Sequence, residues 1–149
     1  MSNKEHKVPL ELYIRNIFHY IRYSAEQETA ALNITSQQGR LLEIIVDGLG
    51  LGKEVNRKYL EETMFIKGSS VTSLLNGLEK KEFIKRNTSK DDARALEITV
   101  TQKGETAIKQ VKALFIEQER RLLSGMTEEE VNIFRDLLEK TCRNIGIEL

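Results

Sequence analysis

At 149 residues the chain is long enough for one domain with a continuous core and too short for a catalytic domain joined to a separate regulator. Its 40% hydrophobic and 31% charged residues, with one proline and no tryptophan, exclude a disordered or fibrous chain and favour helices with well-solvated faces. Lysine plus arginine (23) balance aspartate plus glutamate (23), but unevenly: seven cations face four carboxylates from Lys67 to Arg94, and five face eight from Glu117 onward, giving a basic middle and an acidic C-terminal end.

Leu10, Ile14, Ile17, Phe18, Ile21 and Ala25 recur at spacings of three and four and predict an amphipathic helix from about Pro9 to Ala31. Thr35 and Gln38 have the spacing of a capping box, so a second helix starts there and turns Leu41, Leu42, Ile45 and Val46 inward. Glycines at 48, 50 and 52 predict a flexible connection over 47–52. A short helix capped by Asn56 follows. After the tight turn Phe65-Ile66-Lys67-Gly68, Val71, Leu74, Leu75 and Leu78 mark the buried face of another helix. Two short helices joined by a tight turn are the outline of a helix-turn-helix.

The period then changes to two. Phe83 to Arg86 and Leu96 to Val100 read as strands around a polar, charged tip, a β-hairpin or wing. Thr101 caps a long helix, and Thr127 with Glu130 forms a capping box for the last one, whose stripe of Val131, Phe134, Leu137 and Leu138 lacks a partner in the central elements. The expected fold is mostly α with a small β-hairpin wing: one domain over 1–149, with a winged helix-turn-helix lobe at about 35–100 and helices at about 9–31 and 101–149 left for association.

The second short helix is the one that enters the DNA major groove in such a motif. Opposite its apolar face lie Ser69, Ser70, Thr72, Ser73 and Asn76, with Lys67 at the entry turn. These hydroxyls, amide and ammonium suit base edges and phosphates. On the wing, Lys85, Arg86, Lys90 and Arg94 flank the tip, where cations reach a phosphate backbone, and Asp92 is placed to orient Arg94. Solvated polar faces are the alternative for each element alone. Their succession favours DNA binding over a winged-helix protein-interaction module.

An enzyme is disfavoured. His6 and His19 are the only histidines, Cys142 is the only cysteine, and Lys53-Glu54 does not complete a phosphate loop. The pair Asp91-Asp92 falls on an exposed tip. No cofactor or metal site is expected. No apolar run approaches the roughly 20 residues that cross a bilayer, and the first residues lack the apolar stretch of a signal peptide, so a cytoplasmic location without membrane association is expected.

The run Leu-Leu-Asn-Gly-Leu-Glu-Lys-Lys-Glu-Phe-Ile-Lys-Arg at 74–86, then Asp92-Ala93-Arg94, then Val100-Thr101-Gln102-Lys103-Gly104 resembles the MarR family of bacterial regulators. Glu82 stands where that family usually has a small residue such as glycine, and Val100 where it has leucine. The resemblance implies a homodimer built from the first and last two helices, a pseudo-palindromic duplex operator, and repression as the commoner mode. It also implies a small aromatic or phenolic effector between the lobes. Tyr13, Phe18, Tyr20, Tyr23 and Phe65 are the candidates to line such a cleft, with core or interface packing as their alternative.

Overall fold

The computed structural model describes residues 7–88 and 96–148. In chain order these form α1 (Leu10–Thr29), a 3-10 turn (Ala30–Leu32), α2 (Ser36–Gly50), α3 (Arg57–Met64), α4 (Gly68–Lys80), β1 (Ile84–Thr88), β2 (Leu96–Val100), α5 (Gln102–Leu122) and α6 (Glu128–Asn144). Helix starts are decided locally. Thr35 with Gln38 and Thr127 with Glu130 make the capping boxes of α2 and α6, while Asn56 and Thr101 accept the Tyr59 and Gly104 N–H groups to cap α3 and α5.

The glycine-rich segment departs from expectation. Instead of a flexible connection from Asp47, α2 continues through Gly50, and the chain turns only at Leu51-Gly52, with Gly52 at φ +68°. Gly48 is buried inside the helix because a Cβ there would lie 2.8 Å from Val55 Cγ2 and 3.1 Å from the Tyr59 ring. It is a packing contact for the chain entering α3, and not a hinge.

Leu41, Leu42 and Ile45 of α2, Leu60 of α3, and Val71, Leu75 and Leu78 of α4 form one buried cluster with Phe83, Ile84, Ile98, Ile108 and Val111. The hairpin is antiparallel, with Ile84 opposite Val100 and Arg86 opposite Ile98. Its period of two turns Ile84 and Ile98 into the cluster and leaves Lys85, Asn87, Glu97 and Thr99 exposed.

Outside this lobe most apolar side chains of α1 and α6 are uncovered. Every residue of α1 from Leu10 to Tyr20 is exposed, and α6 buries none of its side chains. Leu10, Tyr13, Ile14, Ile17 and Phe18 on α1, with Ile133, Phe134, Leu137 and Leu138 on α6, therefore face outward in the single chain.

The end of α4 shows why a small residue suits position 82. Lys81 is the C-cap, the Glu82 N–H donates to the Glu79 carbonyl at 2.9 Å, and the Phe83 N–H donates to the Leu78 carbonyl at 2.9 Å, the paired bonds of a Schellman motif. Glu82 sits in the left-handed region at φ +63°, which costs a β-carbon about 1 kcal/mol. Glu82→Gly should therefore raise unfolding stability by about 0.5–1 kcal/mol in chemical denaturation. An unchanged or lower midpoint would contradict the strain.

Candidate nucleic-acid interface

α3 and α4 are joined by a turn in which Phe65 takes a left-handed conformation (φ 54°) and Lys67 becomes the N-cap of α4. The burial of Val71, Leu75 and Leu78 fixes the rotation of α4, so Ser69, Ser73, Asn76 and Lys80 form an exposed stripe, with Ser70 and Lys67 beside its N-terminal end. Thr72 is half-buried and donates its hydroxyl hydrogen to the Gly68 carbonyl at 3.0 Å. It supports the helix more than it lines the open stripe. No side chain caps α4, the Ser70 and Val71 N–H groups bond the Lys67 carbonyl, and the Glu61 carboxylate lies beside Gly68 at the start of the helix.

The wing cations divide. Lys85 is exposed on the outer face of β1. Arg86 points the other way: its Nε and Nη2 donate to Glu79 Oε2 at 3.1 and 2.6 Å, Nη2 also donates to Asn76 Oδ1 at 2.6 Å, and its backbone N–H donates to Glu79 Oε1 at 3.1 Å. The Arg86 side chain is only 19% exposed, so as the chain stands it braces the hairpin against α4 and does not project toward a duplex. Spacing alone missed this role. The signal available was the pattern of Glu79 in the last turn of α4 and Arg86 two residues into the strand. Lys90, Asp92 and Arg94 lie outside the described residues.

The five aromatic residues proposed for an effector cleft are not brought together. Tyr13, Phe18, Tyr20 and Tyr23 are exposed along α1, Phe65 is exposed at the α3–α4 turn, and Phe18 has His19 as its ring neighbour. The cavity of about 330 Å³ between α1, α2 and α5 is lined instead by Ile21, Arg40, Phe115, Gln118 and Leu122 among others, with the Arg40 guanidinium 3.9 Å from the Phe115 ring centre. Sequence reasoning passed over Phe115 and Arg40 because their meeting depends on how α2 crosses α5. Among the described residues no three His, Cys, Asp or Glu side chains are grouped to hold a metal, and no helix is long and apolar enough to cross a membrane.

Comparison with known proteins adds the following. The model of the MarR family matches residues 32–95, the segment from the 3-10 turn to the wing. An uncharacterized HTH-type transcriptional regulator of Bacillus subtilis (strain 168), YwaE, is 27% identical over 124 residues, 83% of this chain and 72% of that protein. The S. aureus MepR–DNA complex superposes with a TM-score of 0.84 at 24% identity, covering 95% of this chain and 100% of that one. The reduced form of MarR from E. coli does so at 0.71 and 20% identity, covering 92% and 98%. At these identities the two solved structures establish the shared fold.

The Arg86 bonds hold the Glu79 carboxyl below the usual carboxylate range, despite some opposing burial. A carboxylate with a lowered pKa contributes stability that is complete above its unfolded value and is lost as pH falls through the folded one. Glu79→Gln should thus lower the melting temperature at pH 7 by about 2–4 °C, equivalent to roughly 1 kcal/mol for a partly exposed pair. The gap between the two proteins should close as pH falls through and below the ordinary carboxylate range. A gap that persists in acid would assign the loss to packing.

Proposed function

We propose that this chain is a DNA-binding transcriptional regulator of the MarR family and not an enzyme, as the family match over residues 32–95 and the similarity to a transcriptional regulator support, and that two copies of it join through α1, α5 and α6 and set their α4 helices into major grooves of a pseudo-palindromic operator. The observation that carries this reading is the stripe of Ser69, Ser73, Asn76 and Lys80, polar and exposed on a helix held rigidly by a buried opposite face. Ser69, Ser70, Ser73 and Asn76 are the base-reading groups. Lys67, Lys85, Lys90 and Arg94 meet phosphates, with Asp92 orienting Arg94, while Thr72 and Arg86 act from behind by supporting the helix and the wing.

The two-fold pair is supported by the outward apolar residues of α1 and α6, since soluble monomers rarely expose contiguous apolar patches of this kind. A self-complementary face of this sort closes as an isologous dimer, which matches an inverted repeat. Neutral net charge is no obstacle, because the acidic α6 end and the basic α4–wing end occupy different parts of the chain. Repression is the regulatory mode we assign. An aromatic effector, if one releases the protein from DNA, has its seat in the cavity beside Arg40 and Phe115 instead of among the α1 tyrosines, which are better used in the dimer face.

Repeated selection from a random duplex library at moderate salt should enrich an inverted repeat whose half-sites lie about one helical turn apart. A folded, dimeric protein that enriches nothing would contradict the reading and favour a protein-interaction module. Leu137→Asp should yield monomers in light scattering and bind the enriched duplex at least about tenfold more weakly, as expected for a charge set into an apolar interface. Retained dimers would remove α6 from the interface.

A further inference from the structure

The bond between Arg86 and Asn76 decides how the Asn76 amide faces. A guanidinium has N–H donors and no acceptor, so the group that meets Arg86 Nη2 at 2.6 Å must be the amide oxygen, Oδ1. Glu79 holds the guanidinium in place through Nε and Nη2, and its other oxygen takes the Arg86 backbone N–H. The carboxylate, the guanidinium and the amide thus form a chain of charge-assisted hydrogen bonds running from the foot of the wing to the exposed stripe of α4.

We infer that Glu79 and Arg86 position Asn76 as a donor, so that its Nδ2–H₂ group favours guanine, the base with two acceptors on its major-groove edge, within each half-site. This rests on the operator-binding reading above. Free asparagine is ambivalent and typically pairs with adenine by giving one hydrogen bond to N7 and taking one from N6. Here the Arg86 cation occupies one side of Oδ1 and weakens it as an acceptor for adenine N6, which leaves the Nδ2 donors as the groups for the duplex, and no described residue takes a hydrogen bond from Nδ2. Guanine offers both N7 and O6 to such donors, whereas adenine offers N7 alone, thymine O4 alone and cytosine only its N4 amine, so a donor-only amide favours guanine over the other three. Arg86 and Glu79 are positioning residues in this scheme: they fix the amide without touching the base.

The test compares library selections by the wild type, Asn76→Asp and Arg86→Met, each checked for folding by circular dichroism and for association by light scattering. The wild type should enrich guanine at one symmetric position of each half-site. Asn76→Asp keeps one oxygen on Arg86 and turns the other outward as an acceptor, so that position should shift toward cytosine or adenine by at least about fivefold, the low end for one base contact. Arg86→Met frees the amide and should admit adenine at the same position while the remaining positions keep their bases. Should Arg86→Met fail to fold, the exposed Asn76→Asp substitution decides alone. If no position responds, or if Asn76→Asp weakens every sequence alike as a phosphate contact would, the relay does not select a base, although an inverted repeat enriched by the wild type would still uphold the operator-binding reading. If the wild type enriches no motif, both fall.

Discussion

The carbonyl of Phe83 accepts the Thr101 N–H at 3.1 Å and the Thr101 hydroxyl at 3.1 Å, and the same hydroxyl reaches the Glu82 carbonyl at 2.6 Å. Lys103 lies 4.9 Å from the Phe83 ring centre and donates to the Lys81 carbonyl at 2.8 Å. Gly104 completes the clasp, because a Cβ at that position would run into the Phe83 carbonyl and come within 2.8 Å of Val100 Cγ1. The C-terminal end of α4, the foot of the hairpin and the first turn of α5 are therefore one rigid joint. These contacts tie the start of α5 to the end of α4 through the hairpin foot, the kind of close packing through which elements shift as units. The Val100-Thr101-Gln102-Lys103-Gly104 run, which marks the family resemblance, has this joint as its physical content.

Two further consequences follow for the proposed two-fold pair. In that proposal the exposed apolar residues of α1 and α6 serve association, while the polar stripe of α4 contributes nothing to the core and is free to carry polar groups. Ties between α1 and α5 place the association helices on the rigid joint: Arg121 pairs with Glu28 at 2.5 Å, and Gln118, 5% exposed, donates to the Ile21 carbonyl at 2.8 Å. The cavity beside Arg40 and Phe115 lies in this seam. In the proposed pair, a molecule binding there would touch α5 without approaching α4 itself.

Much of this fold is legible in the sequence because its decisive signals are local. The caps at Thr35, Asn56, Thr101 and Thr127 act over three residues, and the apolar periods of α2, α4 and α5 follow from helix geometry alone. Glycines at 48, 50 and 52 mislead, since the reason for Gly48 is its contact with Val55 and Tyr59 and not any freedom of its own backbone. The site divides in the same way. The exposed serines of α4 follow from its period, but the capture of Arg86 by Glu79 and Asn76 depends on how the strand returns past the helix, and a basic residue in a predicted wing reads as a DNA contact until that return is known. The aromatic residues of α1 were candidates for a cleft because side-chain type is visible in a sequence and the burial of an unpartnered helix is not.

Hydroxyl-radical cleavage of a bound duplex tests the central claim most directly. A two-fold pair of reading helices predicts two groups of protected sugars on one face of the DNA, related by symmetry and centred about one helical turn apart, with weaker protection where the wings meet the backbone. A single protected patch, or uniform protection along the duplex, would contradict the account.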